Sequence, residues 1–460
     1  RLIDRYPGSE DVSEDHRILY FDIEVEVTDG FPEPAQAENK ITSIAFQTSH
    51  DSKSYVYVLG DKKDTEKNGA AVRFFRDEPS LLQSFLRFWI DVKPTIISGW
   101  NIDQFDTPYL YNRITKVFGE EFANALSPIQ QVRYNQNKKK YRIAGVSSLD
   151  YIELYRKFTY VQRSSYRLDY IGQIEVDMGK VEYEGTLDQL LENDIDKFIE
   201  YNLVDVKIVV ALEEKLKLID LARAVSHMGR IPYEEVYFSS RYIEGAMLTY
   251  LRKLNLVAPS KRHDASYDDS AGRFSGAYVK DPNPGRYEWV YDLDLTSMYP
   301  SVIMSLNISP ETKIGKLAGW DAEEFIKGTK KTYTLLSNGR EKGRLTETEL
   351  KDFFDKNNVS VSSNGVLYRN DKQGLIPALL SKWFDTRVEY RKFGDAGDEQ
   401  KYTYFKSRQL IQKVVLNSLY GVLGLSVFRF YDLDNAEATT LTGQELIKFT
   451  KKIGNYFYNN

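Results

Sequence analysis

The stretch that most limits what this chain can fold into is "RILYFDIEVEV", residues 17–27. Apolar and polar residues alternate there, and again in "KITSIAFQT" and "SYVYVLG", the period-two pattern of adjacent strands. In the first strand Asp22 and Glu24 stand two residues apart, so both carboxylates leave the same face. Residues 80–92, "SLLQSFLRFWIDV", space their apolar side chains as a helix does, behind a serine cap, and "TIISGW" returns to a strand. Strands alternating with helices predict an α/β domain.

A chain of 460 residues exceeds what one hydrophobic core organises, so several domains are expected. "NQNKKK" reads as a polar hairpin tip between two short strands, and residues 184–226 read as helical. The stretch 256–286, rich in Gly, Pro, Ser and Asp, reads as a linker into a second domain. There "WVYDLDLTSMYPSVI" begins as an apolar strand that ends in Asp292 and Asp294. Residues 316–360 are polar and charged, like an insertion, and helices are expected at 376–393, 402–420 and 436–457.

Composition removes some chemistries. With no cysteine there is no disulfide, thiol nucleophile or cysteine-ligated zinc. The 62 basic and 67 acidic residues leave a net charge of −5, so an anionic partner must be held by local patches. The most apolar twenty-residue window, Gln409 to Phe428, still contains Lys413 and Asn417, and no membrane partner is expected.

Carboxylates in the first half suggest metal chemistry. Asp106 follows a strand, with Trp100, Phe105 and Tyr109 around it, while Tyr201 and Asp205 lie one helical turn apart on the same helix face. Carboxylates converging from separate elements hold two divalent cations about 3.5–4 Å apart in phosphodiester hydrolysis. In a chain with 67 acids, solvated acidic pairs are the competing reading.

Taken in order, Asp-x-Glu on a strand, Asn-x-x-x-Phe-Asp after it and Tyr-x-x-x-Asp on a helix resemble the three exonuclease motifs of family B DNA polymerases. "DLDLTSMYPSVI" resembles that family's motif A and "QKVVLNSLYGVLG" its motif B. "DGFPEP", "GWNIDQFDTPYLYNRI", "NISPET" and "FRFYDLDNA" are similar to the replicative enzymes of T-even-like bacteriophages.

The resemblance implies a 3′→5′ proofreading site with Asp22, Glu24, Asp106 and Asp205 as ligands of two Mg²⁺ or Mn²⁺ ions, assisted by Tyr201. It implies a palm metal ligand at Asp294 and deoxynucleotide contacts at Leu295, Ser297, Met298, Tyr299, Arg387, Arg391, Lys413 and Asn417. Tyr299 matches the gate that excludes a 2′-hydroxyl. The turn at Ser297 can cradle a triphosphate with its amides, and Lys413 can neutralise the departing pyrophosphate. DNA contacts fall on Tyr420, on Gly421, where the backbone can approach the nascent base pair, and on Phe274, Gly276 and Ala277. The last three stand where the family has Tyr-x-Gly-Gly/Ala, and Phe274 lacks the hydroxyl.

On this resemblance the chain is a multi-domain α/β protein. A ribonuclease H-like exonuclease domain covers 1–217 and a helical connection 218–266, a remnant of the N-terminal domain. An α+β palm follows at 267–372, helical fingers at 373–425, and the start of the second palm part at 426–460. The expected partners are primer–template and single-stranded DNA, deoxynucleotides and a sliding clamp, in the cytoplasm of an infected bacterium. No Asp-Thr-Asp motif C or thumb is found before Asn460, so a fragment or one half of a split enzyme is expected, with the other half as partner. The alternatives are a stand-alone exonuclease of related fold and a non-catalytic polymerase-like subunit.

Overall fold

The computed structural model describes residues 16–27, 30, 32–51, 53–159, 161–261, 276–337, 339–394 and 399–459. They divide into two units. One holds the described residues as far as His227, with Ile231–Tyr237; the other holds Met228–Arg230 and the described residues from Phe238 onward.

The first unit is built on a mixed sheet of seven strands: β1 (Ile18–Val25), β2 (Ile41–Thr48), β3 (Ser54–Leu59), β4 (Thr65–Lys67), β5 (Ala70–Phe75), β6 (Ile96–Ser98) and, later in the chain, Ser147–Ser148. β1 lies inside the sheet, antiparallel to β2 on one side and parallel to β6 on the other. Its odd-numbered residues Leu19, Phe21 and Ile23 are buried in the hydrophobic core with Phe85 and Trp89 of α1 (Glu78–Val92) and Tyr109 and Ile114 of α2 (Asp106–Phe118). Phe21 meets Trp89 edge to face with ring centroids 6.2 Å apart. Each such buried side chain contributes about 1.5–3 kcal/mol relative to exposure.

The cap of α1 is not the serine expected from the sequence. The helix starts at Glu78 because the Asp77 carboxylate accepts from the Ser80 amide at 2.8 Å and Pro79 sits in the first turn. α1 and α2 are tied by a buried bidentate pair, Arg113 to Glu78, at 2.8 and 2.6 Å. Glu78 also accepts from the Ile41 amide at 2.7 Å, so this one carboxylate joins two helices to β2.

After α2 come α3 (Glu120–Asn124) and the hairpin of β7 (Val132–Asn135) and β8 (Lys140–Ile143), whose turn contains the expected polar tip. Ser147–Ser148 is β9, the last strand of the sheet. Five helices follow: α4 (Tyr151–Phe158), α5 (Leu168–Val176), α6 (Leu187–Asn193), α7 (Ile195–Leu216) and α8 (Leu218–Gly229). α6 opens on a capping box between Thr186 and Gln189. α7 covers the even-numbered face of β1, the face that carries Asp22 and Glu24, and its Asn202 bonds to both β1 and β2.

The second unit begins with α9 (Ser239–Lys253) and α10 (Met298–Leu306). The expected strand at 289–294 is absent. Residues 289–296 form neither strand nor helix, and among the described residues no strand pairs with them; Trp289 is 83% and Val290 82% exposed. A strand exists through its ladder, and without a neighbour among the described residues for its amides and carbonyls this apolar run takes no regular structure.

The polar stretch 316–360 folds as more than an insertion. It supplies most of a five-stranded sheet of β10 (Lys313–Ala318), β11 (Thr332–Ser337), β12 (Arg340–Thr346), β13 (Val359–Val361) and β14 (Val366–Arg369), in the order β12-β11-β10-β14-β13. Leu317, Tyr333, Leu350 and Leu367 form its core, with α11 (Ala322–Lys327) and α12 (Glu347–Asn357) contributing aromatic cover from Phe325, Phe353 and Phe354. The three long helices are α13 (Leu375–Gly394), α14 (Glu399–Leu423) and α15 (Leu433–Asn459). Among the described residues no helix is long and apolar enough to cross a membrane.

Candidate functional site

Three elements of the first unit deliver acids to one place. β1 presents Asp22 and Glu24 on the face under α7, and α7 presents Asp205 back toward them. One carboxylate oxygen from each of Asp22, Glu24 and Asp205 lies within 4.8 Å of the others. Asp106 opens α2, where the helix N-terminus favours an anion, and its Oδ1 accepts from the Ile23 amide at 3.0 Å. That bond fastens the start of α2 to the middle of β1, beside Asp22. The loop leading to Asp106 runs so close to β1 that a Cβ at Gly99 would meet the Phe21 carbonyl oxygen at 2.6 Å.

Burial of four acids leaves each harder to ionise. Withdrawal from water, then the neighbouring charges of Asp106, Asp205 and Glu24, raise Asp22 well above the usual carboxylate range. Burial and then Asp205 push Glu24 up to about 8. Burial pushes Asp106 to about 7, against the lowering effect of the Ile23 amide. Asp205 is raised too, by burial, although Lys180 acts to lower it. Asp205 Oδ1 is buried and has no hydrogen-bond partner among the described residues. Clustered carboxylates and an orphaned buried oxygen are the donor set that a hard divalent cation satisfies.

Tyr201 flanks the cluster on α7. Burial lifts its phenol above the ordinary value, Lys180 opposing, and its ring meets Tyr183 edge to face at 5.2 Å. The Lys180 ammonium donates to Asp205 Oδ2 and, at 3.3 Å, to the Tyr201 hydroxyl, and lies 4.9 Å from the Tyr201 ring centroid. Burial alone would make this amine less basic; Asp205, Tyr201 and Asp22 together raise it instead.

The second unit gathers a different set. Asp294 and Leu295 are exposed on the unpaired run, and Ser297 caps α10 in the left-handed region at φ 50°. Ser297 Oγ accepts from Arg387 at 3.4 Å, and Arg387 also reaches Gln409 of α14 at 3.4 Å. Met298 and Tyr299 start α10, and the Tyr299 ring stacks on Tyr420 of α14. Lys413 is half-buried; Asn417, Gly421 and Arg391 are exposed. Gly276 and Ala277 are exposed, the Gly276 carbonyl accepting from Gln444 at 2.6 Å, while Phe274 lies outside the described residues. The structure thus brings Ser297 to Arg387 and Tyr299 to Tyr420, and among the described residues Asp294 belongs to no group of three or more acids or histidines placed to share an ion.

Comparison with known proteins matches the chain twice. Residues 3–171 match "DNA polymerase family B, exonuclease domain" and residues 232–457 match "DNA polymerase family B". The chain belongs to DNA polymerase family B. It is 30% identical to a DNA-directed DNA polymerase of Escherichia phage RB69, across 96% of this chain and 55% of that protein. It is 29% identical to that of Enterobacteria phage T4, across 98% of this chain and 56% of the relative. A DNA polymerase delta catalytic subunit of Dictyostelium discoideum is 25% identical over 95% of the chain. The chain spans about half the length of the phage relatives it matches.

In this family B chain, sequence reasoning missed three side chains in or beside the acid cluster. Lys180 sits in "MGKVEYEG", where nothing local sets it apart from the other lysines. Asn202 lies inside the Tyr-x-x-x-Asp motif without being one of its named positions, and Ser43 is an ordinary strand serine. A search for fully buried polar side chains would have found Asn202 and Ser43, both 0% exposed, but burial is a property of the fold.

Proposed function

We propose that this chain is the exonuclease-bearing part of a family B DNA-directed DNA polymerase and removes nucleotides from DNA 3′ ends. The observation that carries the reading is the meeting of Asp22, Glu24 and Asp205 from a strand and a helix that are far apart in sequence. In this reading the first unit is a ribonuclease H-like nuclease domain, and Asp22, Glu24, Asp106 and Asp205 hold two Mg²⁺ or Mn²⁺ ions. Such ions, when bound, supply an activated water and neutralise charge on the leaving oxygen. Tyr201 orients the water or the scissile phosphate with its phenol. Lys180, already placed against Asp205, offsets the charge of an incoming phosphate. Phe105 gives an unpaired base a ring to stack on, which favours single strands.

The second unit, in the same reading, is palm and fingers. The palm covers 267–372 and resumes at 426–460, the fingers cover 373–425, and 218–266 connects them to the nuclease. Arg387 and Arg391 of α13 and Lys413 and Asn417 of α14 hold a deoxynucleoside triphosphate over the Ser297 turn, and Tyr299 polices its sugar. Primer–template DNA runs past Phe274, Gly276, Ala277, Tyr420 and Gly421. Two-metal phosphoryl transfer requires a second acid beside Asp294, which we assign to an Asp-Thr-Asp hairpin on further polypeptide, followed by a thumb. A sliding clamp and the cytoplasm of an infected bacterium complete the setting.

The test is excision from 5′-labelled single-stranded DNA with Mg²⁺ or Mn²⁺. Laddering from the 3′ end is expected, and Asp22→Ala with Asp106→Ala should abolish it. Degradation that survives the double substitution would place the nuclease elsewhere.

A further inference from the structure

We infer that Ser43 and Asn202 form a buried relay that positions the Asp22 carboxylate for its cation; the role rests on the nuclease reading above. Asn202 lies three residues before Asp205 on α7, so the two side chains share the helix face turned to the sheet. Ser43 stands directly opposite Glu24 in the β1–β2 ladder, and directly opposed residues leave the same face of a sheet. The helix and the strand therefore bring an amide and a hydroxyl into the acid cluster from two sides.

The contacts are specific. Ser43 Oγ donates to Asn202 Oδ1 at 2.8 Å, and Asn202 Nδ2 donates to Asp22 Oδ2 at 2.8 Å. Asn202 and Ser43 are both 0% exposed and the bond between them is buried, while the Asp22 end of the second bond is partly open. The chemistry fixes the order: a carboxylate with a cation on it only accepts, so it takes the amide NH₂, and the carbonyl end must then face a donor. Ser43 is that donor. Without its hydroxyl the buried carbonyl loses its partner, and the amide gains freedom to turn away from Asp22.

The consequence is orientation. The amide occupies one lone-pair direction of Asp22 Oδ2 and holds the carboxylate plane still, leaving the other directions for the cluster. Outer hydrogen-bond partners of a ligand typically change metal affinity roughly ten- to a hundred-fold when removed. Asn202 and Ser43 are positioning residues, acting through Asp22.

The experiment is a Mn²⁺ titration of the full chain by electron paramagnetic resonance, which reads free ion directly and needs no substrate. The wild-type protein should bind Mn²⁺, and Asp22→Ala should lose that binding. Asn202→Leu, close in volume, should weaken the affinity roughly ten- to a hundred-fold, and Ser43→Ala should weaken it several-fold, with Ser43→Thr restoring it. Excision rates should recover toward wild type at saturating Mn²⁺ in each relay variant. If wild type binds no Mn²⁺, the nuclease reading itself fails. If wild type binds and Ser43→Ala and Asn202→Leu bind equally well, the relay is overturned, whatever their melting temperatures. Should Asn202→Leu not fold, Ser43→Ala against Ser43→Thr decides alone, and loss in both overturns the hydroxyl's role.

Discussion

The rings of Tyr299 and Tyr420 lie stacked, centroids 4.2 Å apart and planes 22° from parallel, and the Tyr420 hydroxyl meets Thr440 Oγ1 at 2.8 Å. One aromatic pair therefore joins α10, α14 and α15, and a sugar resting on Tyr299 would rest on a ring that is itself held. In an enzyme carrying the complete polymerase site, Tyr299→Ala is expected to admit ribonucleotides at least about tenfold more readily, a change of about 1.4 kcal/mol in discrimination. Primer extension with matched ribo- and deoxynucleotides measures it. Unchanged sugar preference would take Tyr299 out of that role.

Asp106 offers a prediction with opposite signs for activity and stability. Its folded pKa of about 7 lies above the ordinary 3.8, so its contribution to stability is fully present below about pH 4 and is lost as pH rises through about 7. Asp106→Asn keeps an oxygen for the Ile23 amide and removes the buried charge. The metal-free variant should melt a few degrees above wild type at pH 8 and show little difference near pH 4, while excision falls by orders of magnitude. Calorimetry at the two pH values checks it; an equal shift at both would contradict the charge argument.

Cation binding should release protons. Glu24 and Asp106, at about 8 and 7, hold protons in the metal-free protein near neutrality, and a ligand carboxylate must give them up. Mn²⁺ affinity should therefore rise from pH 6 to pH 9. Isothermal titration in two buffers of different ionisation heat counts the protons directly. No buffer dependence at pH 7 would mean the acids are already ionised.

The Arg113–Glu78 pair makes a stability prediction far from any chemistry. Both side chains are nearly out of water, at 11% and 4% exposure. Arg113→Met strands the Glu78 charge and should cost about 3–5 kcal/mol, whereas combining it with Glu78→Gln should recover much of the loss. Urea unfolding of the two variants separates the cases, and additive losses would mean the pair is not energetically coupled.

The parts of this protein readable in its sequence are those written in local periods. Asp22 and Glu24 were placed together by the two-residue repeat of a strand, and Tyr201 and Asp205 by the turn of a helix. α13, α14 and α15 were found within a few residues of their observed ends. Lys180 was not legible, since its bond to Asp205 depends on how the chain between α5 and α6 packs. The Ser43–Asn202 contact spans 159 residues, a distance no window samples. Polar composition hid the sheet of β10 to β14, because its core cluster has only four fully buried side chains, Leu317, Tyr333, Leu350 and Leu367, and the apolar residues packed on them are spread thinly among charged ones. The run at 289–294 erred the other way: its composition is that of a strand, but pairing is decided by a neighbour.

That bare run also bears on how the protein can be handled. Trp289, Val290, Tyr291 and Leu293 are more than half exposed on a run that joins no ladder among the described residues, Tyr291 being stacked on Tyr458 with ring centroids 4.0 Å apart. A stretch of that kind is a template on which any free strand can zip, including the same stretch of another molecule. Solubility at high concentration should therefore turn on these few residues, and a charge at Val290 should do more to keep the protein dispersed than the same charge elsewhere on its surface.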